Sequence, residues 1–391
     1  MTVIRPAPNA FTGKMYEGVY DLVVVGASFA GLACARSAAM RGLKVAVLDA
    51  KIEPGARVRT TGLLVKEAVD GTDVPAALTR KIRGVRLYAP SGAHTDLHAP
   101  GYYFLATDTP GLMRWMAREA ARAGAHLLFG HRFTNAGRQD GLIRISGLGL
   151  AARYLIGADG AKSRVAEAFG LGRNTEFLVG METEYPVTER VDPDLLHCFI
   201  DTALAPGYLG WVVPGAGLTQ AGLAVSGGRK PDMAAFMERI DPLFGLSKLD
   251  VKARRSGPIP CGGLVEPFGT RNVLLIGDAA GLVSPLTAGG IRLALDLGRK
   301  AGCVVSEHLQ DGGPDPVRVM AKDYPRFTAK KWLRRAWGLA PPNWLLDRTL
   351  FTPPMRALAR RIYFHRRGVP GADVLRFAAA PDTSETARAA E

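Results

Sequence analysis

Two short glycine-bearing segments, far apart in the chain, carry the residue types that hold a nucleotide. The first, Gly26-Ala27-Ser28-Phe29-Ala30-Gly31, follows the apolar, β-branched run Tyr20-Asp21-Leu22-Val23-Val24-Val25. A glycine at such a point lets a strand reverse into a helix, and a second lets that helix lie close to the strand. Free amides at the helix start, aided by the helix dipole, then favour a pyrophosphate. Asp49 stands about 20 positions further on, at the end of the run Lys44 to Asp49, where a carboxylate accepts hydrogen bonds from an adenosine ribose. Ser28 replaces the middle glycine of the usual fingerprint. The competing reading is a tight strand-helix turn with no ligand.

The second segment, Gly277-Asp278-Ala279-Ala280-Gly281, is followed by Pro285-Leu286-Thr287-Ala288-Gly289-Gly290-Ile291. Asp278 directly follows the apolar run Val273 to Ile276, so its carboxylate projects from a carboxyl-terminal strand end, where open α/β sheets bind ligands. There it can accept hydrogen bonds from ribityl hydroxyls; the plainer role is a helix cap. Gly289 and Gly290 let the backbone approach a flavin ring at the start of a helix beginning at Ile291, whose dipole stabilises negative charge at flavin N1 and O2. Both segments together point to FAD and a redox enzyme.

These segments need a scaffold. Strand 20–25, a helix from Phe29 to Arg41 and strand 44–49 make a β-α-β unit, with Gly31, Ala35 and Ala39 giving the helix one small-residue side. A helix is expected over Leu112 to Ala123, strands over 126–129, 142–146 and 154–160, and alternating, mostly antiparallel strands between about Thr175 and Pro260. The parallel-strand pattern returns at Asn272 to Ile276, and a helix follows over Ile291 to Leu309. The expected fold is α/β: a Rossmann-like FAD-binding domain (20–174 and 261–312) interrupted by an antiparallel-sheet substrate domain (175–260). A basic, aromatic helical region (313–377), broken at Pro341-Pro342 and Pro353-Pro354, follows, with an N-terminal extension (1–19) and a disordered tail (378–391) at the ends.

Composition narrows the function. With 391 residues, 47% of them hydrophobic, the chain can bury a large core. It contains no long uncharged apolar stretch and no apolar block in its first twenty residues, which predicts a cytoplasmic protein. Cys34, Cys198, Cys261 and Cys303 are widely separated and suggest buried thiols. His94 and His98 have ligand-like spacing but sit among Gly, Pro and polar residues, so no metal site is expected. The net charge is +14, and between Lys322 and Arg367 twelve Lys or Arg face only Asp323 and Asp347, interleaved with Trp332, Trp337 and Trp344. Such a mixture suits the headgroup layer of an anionic membrane, and equally a helical lid with a solvated basic side. No nucleic-acid recognition motif accompanies the charge.

Three motifs in order, the turn at 26–31, the run Gly157-Ala158-Asp159-Gly160-Ala161-Lys162-Ser163-Arg164, and Gly277-Asp278 with its loop, resemble the FAD-dependent oxidoreductases of the p-hydroxybenzoate hydroxylase-like fold over roughly residues 20 to 310. Within that group, Gly277 through Ile291 looks most like the geranylgeranyl reductase family. Pro206-Gly207-Tyr208-Leu209-Gly210-Trp211-Val212-Val213-Pro214 resembles that family's Tyr-x-Trp-x-Phe-Pro substrate-sheet motif with one residue added. The resemblance implies an FAD site of Gly26, Ala27, Ser28, Ala30, Gly31, Asp49, Asp159, Gly277, Asp278, Pro285, Gly289, Gly290 and Ile291. It also implies hydride transfer from reduced flavin to isoprenoid double bonds of a hydrophobic lipid, quinone or prenyl diphosphate, with NADPH or reduced ferredoxin as donor. Tyr208, Trp211 and Thr61 are the pocket candidates. Two departures stand out: Thr109 where relatives often carry Arg, and Arg59-Thr60-Thr61-Gly62 where many carry Cys-Gly. The alternative on this scaffold is a flavin monooxygenase or halogenase. For the latter Leu209 and Val213 replace the first Trp and the Ile of Trp-x-Trp-x-Ile-Pro, and Lys66 is the candidate halide lysine, an exposed surface lysine being the favoured reading.

Overall fold

A computed structural model describes residues 18–69 and 73–364. The expected disordered tail and nearly all of the N-terminal extension lie outside the described residues, as do Arg366 and Arg367.

The first β-α-β unit forms as its apolar runs predict: strand Gly18–Val25, helix Phe29–Ala39, strand Val45–Asp49. Its strands are central in an eight-stranded sheet, and a parallel core runs Val273–Leu275, Leu150–Gly157, Gly18–Val25, Val45–Asp49, His126–Phe129. Register decides what this core does. Val25 lies opposite both Gly157 and Leu48, and Gly157 opposite Leu275, so the chain leaves adjacent strands at the same edge just before Gly26, Ala158 and Gly277.

Helix Phe29–Ala39 packs on the 21-residue helix Ile291–Asp311 through Gly298 and Gly302. A Cβ on Gly298 would meet the Ala30 carbonyl oxygen at 2.5 Å, and one on Gly302 the Cys34 carbonyl oxygen at 2.4 Å. Backbone therefore touches backbone, and the later part of the chain is seated directly on the first helix.

The second sheet has seven strands: Ala253–Pro260, Phe177–Tyr185, Thr219–Val225, Gly210–Pro214, Leu195–Phe199, Gly84–Tyr88, His94–His98. It is wider than the stretch 175–260. Gly84–Tyr88, expected in the first domain, pairs in parallel with Leu195–Phe199, and His94–His98 forms the edge. A small sheet of Leu63–Val65, Phe104–Thr107 and Thr79–Ile82 lies between the two in sequence.

The helix expected from Leu112 begins at Thr109, because Asp108 caps it by accepting from the Gly111 amide at 3.0 Å and Pro110 occupies the first turn. The C-terminal helices are Pro316–Asp323, Thr328–Gly338, Asn343–Thr349 and Pro353–Phe364. They grip the body through Arg334, buried and donating to the Gly207 carbonyl, and through Asn343, whose amide oxygen accepts from the Thr202 hydroxyl at 2.8 Å. Trp332, Leu339 and Trp344 face outward, 70%, 85% and 61% exposed. The region is thus both a docked cap and an exposed aromatic surface.

Candidate functional site

At the first turn, Gly26 adopts φ +109°, and a Cβ there would meet the Ala158 carbonyl oxygen at 2.2 Å. A Cβ on Gly31 would meet the Gly26 carbonyl oxygen at 1.8 Å. Only glycine fits either position. Ser28 precedes the helix without capping it; its hydroxyl turns to Met113 Sδ at 3.9 Å. The first amides of that helix are left for a ligand at a helix N-terminus, which suits a pyrophosphate.

Asp49 closes the turn from the neighbouring strand. Its Oδ2 accepts from the Ala27 amide at 2.7 Å and its Oδ1 from the Lys51 amide at 2.8 Å, with Lys51 Nζ 3.7 Å from Oδ2. A carboxylate has about four acceptor positions, so two stay open for a ribose.

Asp159, expected among the FAD residues, also has partners within its own segment. Its carboxylate accepts from the Ser163 hydroxyl at 2.6 Å and from the Arg164 and Val165 amides at 2.7 and 3.1 Å, so it organises the start of helix Arg164–Ala168. Burial pushes its carboxyl above the usual carboxylate range against the pull of those hydrogen bonds. What this segment gives the site is backbone, the wall at Ala158 against which Gly26 lies.

The second segment meets the first directly: a Cβ on Gly277, which has φ +57°, would lie 2.9 Å from Ala30 Cβ. Asp278 follows in the short turn Gly277–Ala280, with its backbone oxygen tied to Asn174 Nδ2 at 2.9 Å. Its side chain is open to solvent, yet surrounding protein is dense enough that burial pushes its carboxyl up to about 6. The two properties coexist where a side chain faces the inside of a cleft. The following loop is held by the Ala288 amide donating to the Ser284 carbonyl at 2.9 Å, and by the Ser284 amide donating to the Gly289 carbonyl at 3.0 Å. Pro285 is buried beneath it, Gly289 is exposed, and Gly290 opens helix Ile291–Asp311 with no side-chain cap. A second uncapped helix start therefore borders the same cleft.

The pocket candidates converge on this loop from the second sheet. Tyr208 donates to the Thr287 carbonyl at 2.7 Å, spanning from the sheet to the loop. Trp211 lies over Gly222, whose added Cβ would meet Trp211 Cζ2 at 2.7 Å. The Trp211 indole donates to Glu182 Oε2 at 2.7 Å, the acceptor that Thr61 Oγ1 also reaches, at 2.5 Å. Glu182 is buried, 4% exposed; its other oxygen accepts from Arg255 Nε at 2.7 Å, and Arg255 also pairs with Glu184. Gln220 donates to the Thr61 carbonyl at 3.1 Å. This group clamps the loop 59–62 to the sheet.

The two departures noted in the sequence touch one another. Thr109 is buried, its hydroxyl 2.9 Å from that of Thr107, which donates to the Gly62 carbonyl at 2.9 Å. A Cβ on Gly62 would meet Thr109 Oγ1 at 1.9 Å. A compact Thr-Gly contact therefore joins the two departures. Lys66 is engaged away from this group, donating to the Gly101 carbonyl at 3.3 Å and lying over the Tyr103 ring. His94 and His98 lie on the edge strand, and no cluster of three potential metal ligands occurs among the described residues.

Residues 19–315 match the FAD binding domain family. A digeranylgeranylglycerophospholipid reductase of Methanothrix thermoacetophila is 30% identical over 80% of this chain and 82% of its own length. The one from Methanocaldococcus jannaschii is 30% identical over 81% and 82%. The chain is an FAD-dependent oxidoreductase of the geranylgeranyl reductase family. Among solved structures, a geranylgeranyl bacteriochlorophyll reductase-like protein from Thermoplasma acidophilum shares the fold, with a TM-score of 0.76 at 22% identity over 90% of this chain and 98% of that one. A flavin-dependent brominase shares it more distantly, with a TM-score of 0.63 at 15% identity over 88% and 90%.

The residues present fit FAD: two glycine cradles that a Cβ would fill, two uncapped helix starts and an acidic side chain facing the cleft between them. A pH dependence follows from Asp278. Hydrogen bonds from ribityl hydroxyls favour the ionised carboxylate, so binding lowers a pKa that burial has raised and releases a proton below about pH 6. In the empty protein the sign is opposite: the stability linked to the raised pKa is present at low pH and lost as pH rises through about 6. FAD affinity is therefore expected to rise between pH 5 and 7 and then level off. Asp278→Asn is expected to flatten that profile in fluorescence titrations, and an unchanged profile would exclude Asp278 as the acceptor.

Proposed function

We propose that the protein saturates isoprenoid C=C bonds of a prenylated lipid, quinone or prenyl diphosphate, taking reducing equivalents from NADPH or a reduced ferredoxin. The observation that carries this reading is the bond from Tyr208 to the flavin loop, where Ala288 of the loop packs with Tyr208 and Trp211 on an apolar cluster of Leu178, Ala224 and Cys261. The curated relatives are named for a digeranylgeranylglycerophospholipid, a substrate of this class.

Bound and reduced, FAD would supply a hydride to one alkene carbon, while a proton drawn from solvent reaches the other. The rest is the task of this chain. An isolated alkene is a poor hydride acceptor, so fixed placement and exclusion of water must supply much of the acceleration. Trp211, fixed by Glu182 and by its seat on Gly222, and Tyr208, fixed by Thr287, present rigid apolar walls to a prenyl chain. The Gly289-Gly290 backbone, with little side-chain bulk, would leave room for the flavin beside the loop.

Anaerobic mixing of the reduced protein with geranylgeranyl lipids or a menaquinone tests this reading. Flavin should reoxidise, and the product should gain two hydrogens by mass spectrometry. Flavin that stays reduced with every prenyl compound, or oxygen uptake that depends on an aromatic substrate, would refute it and favour a monooxygenase.

Such a substrate resides in membranes, and we propose that the C-terminal helices dock there. Trp332, Leu339 and Trp344 are outward, with Arg335 and Arg348 on the same helices. No helix among the described residues is long and apolar enough to cross a membrane. Binding to phosphatidylserine vesicles is expected to weaken with salt and with Trp332→Ala/Trp344→Ala; equal binding to neutral vesicles would remove the electrostatic part.

A further inference from the structure

A cleft of about 690 Å³ lies away from the two flavin segments, lined by Lys81, Arg83, His98 and Arg360 around a floor that includes Tyr102 and Tyr103. Its cations come from separate parts of the fold. Lys81 lies on strand Thr79–Ile82, Arg83 just beyond it, His98 at the end of the edge strand, and Arg360 on the last described helix, Pro353–Phe364. Three permanent positive charges gathered from distant positions repel one another unless an anion joins them.

The neighbouring acids offset the group only in part. Asp194 pairs with Arg83, but both side chains are at least half exposed, so the pair is weak and its guanidinium can be shared. Glu67 accepts from the Tyr102 hydroxyl at 3.3 Å. Lys81 rests over the Tyr103 ring, 4.8 Å from its centre, and Arg360 makes no hydrogen bond or ion pair among the described residues. Guanidinium and ammonium donors around a wet, open cleft suit phosphate oxygens.

What lies behind the cleft gives the anion its class. Tyr102 packs edge-on against Phe104 and Phe364, with ring centres 5.4 and 5.8 Å apart. These rings belong to the apolar cluster that continues through Leu63, Val65 and Val213 to Trp211, with Ala359, Tyr363 and Phe364 of the last helix packed on it. One continuous cluster of packed apolar side chains thus lies between the basic cleft at the surface and the indole beside the flavin loop, and the helix that covers the cluster also supplies Arg360.

We propose that this cleft holds the phosphate of an anionic lipid headgroup, with the apolar part of the lipid lying against helix Pro353–Phe364 and the Tyr102 and Tyr103 floor. The assignment rests on the prenyl-lipid reading above and adds the recognition of a phosphate at a defined place.

The test uses the FAD-loaded protein and a Lys81→Ala/Arg360→Ala variant whose flavin content and melting temperature serve as folding controls. Calorimetry with dihexanoyl phosphatidic acid and with dihexanoylglycerol, which lacks the phosphate, should give a preference of about tenfold or more for the phosphate compound in the parent protein, lost in the variant. Arg360→Lys should keep most of it. For turnover of a prenyl phospholipid, the double variant should raise KM by about tenfold or more with kcat nearly unchanged. Equal binding of the two probes by the parent, or a preference that survives in the variant, would overturn the proposal. Inorganic phosphate binding as tightly as phosphatidic acid would also overturn it, by marking a site for free anions. The binding arm needs no turnover, so a phosphate preference in a protein that reduces no prenyl compound would leave the cleft standing and refute the reductase reading alone.

Discussion

Gly31→Val is expected to purify without the yellow of bound flavin. The first carbon of that side chain would stand 1.8 Å from the Gly26 carbonyl oxygen and 3.3 Å from Ala158 Cβ. Both residues sit directly past strand ends and are tied there by backbone bonds, the Gly26 amide to Leu48 and the Ala158 amide to Val25. Neither neighbour can rotate away, as a flexible side chain would. Helix Phe29–Ala39 must instead retreat by more than about 1 Å, and overpacking of this kind costs about 1–3 kcal/mol or more. That helix is pinned from the other side by Gly298 and Gly302, so a retreat also disturbs the seat of helix Ile291–Asp311. Both uncapped helix starts lose their aim at one stroke. Flavin absorbance per chain, with far-ultraviolet circular dichroism as the check on folding, measures the effect. A folded Gly31→Val protein with a full complement of flavin would remove the first turn from the site.

Glu182→Ala carries the second large effect, on stability and on the pocket together. The carboxylate receives Thr61, Trp211 and Arg255 in an environment almost closed to water. Its removal leaves a guanidinium only 12% exposed with Glu184 as its remaining partner, together with an indole N–H and a hydroxyl that have lost their acceptor. Breaking a buried pair from one side costs about 3–5 kcal/mol. Urea unfolding should show that loss, and Glu182→Gln, which keeps an acceptor oxygen but not the charge, should lie between the two. With Trp211 free to turn, KM for a prenyl substrate should rise as well. A change within about 0.5 kcal/mol, the range of ordinary surface substitutions, would show that the group is incidental.

The flavin segments were legible because their signals are local. Gly26 and Gly277 each follow an apolar run at a strand end, and a turn that admits only glycine announces itself within a few residues. Three such runs sufficed to place the turns at one sheet edge, although the register of Val25 with Gly157 and Leu275 belongs to the folded chain alone. Asp159 shows a second role that the motif alone does not announce, because a strand-end aspartate also organises the next helix when Ser163 and the Arg164 amide reach it.

The clamp on the second sheet was harder to see. Its members are separated by 121 residues from Thr61 to Glu182 and by 73 from Glu182 to Arg255, and no spacing rule links them. One signal was present: Glu182 and Glu184 fall two apart in a strand with apolar neighbours, hence on one face, and two carboxylates on the covered face of a sheet call for a cation. The recruitment of Gly84–Tyr88 into that sheet had no local sign, since its parallel partner Leu195–Phe199 lies over 100 residues away and the surrounding Gly and Pro read as loop. The basic cleft was hidden for the same reason, its cations being dispersed from Lys81 to Arg360.

The central claim is that segments 26–31 and 277–291 close around one FAD. Amide hydrogen exchange, followed by mass spectrometry on the flavin-free and FAD-loaded protein, addresses it directly, because exchange slows where a ligand holds backbone groups. Loading with FAD should slow exchange in both segments together, with one FAD per chain and little change over the strands Ala253–Pro260 and His94–His98. Slowing confined to 26–31, with 277–291 exchanging as in the empty protein, would contradict the account.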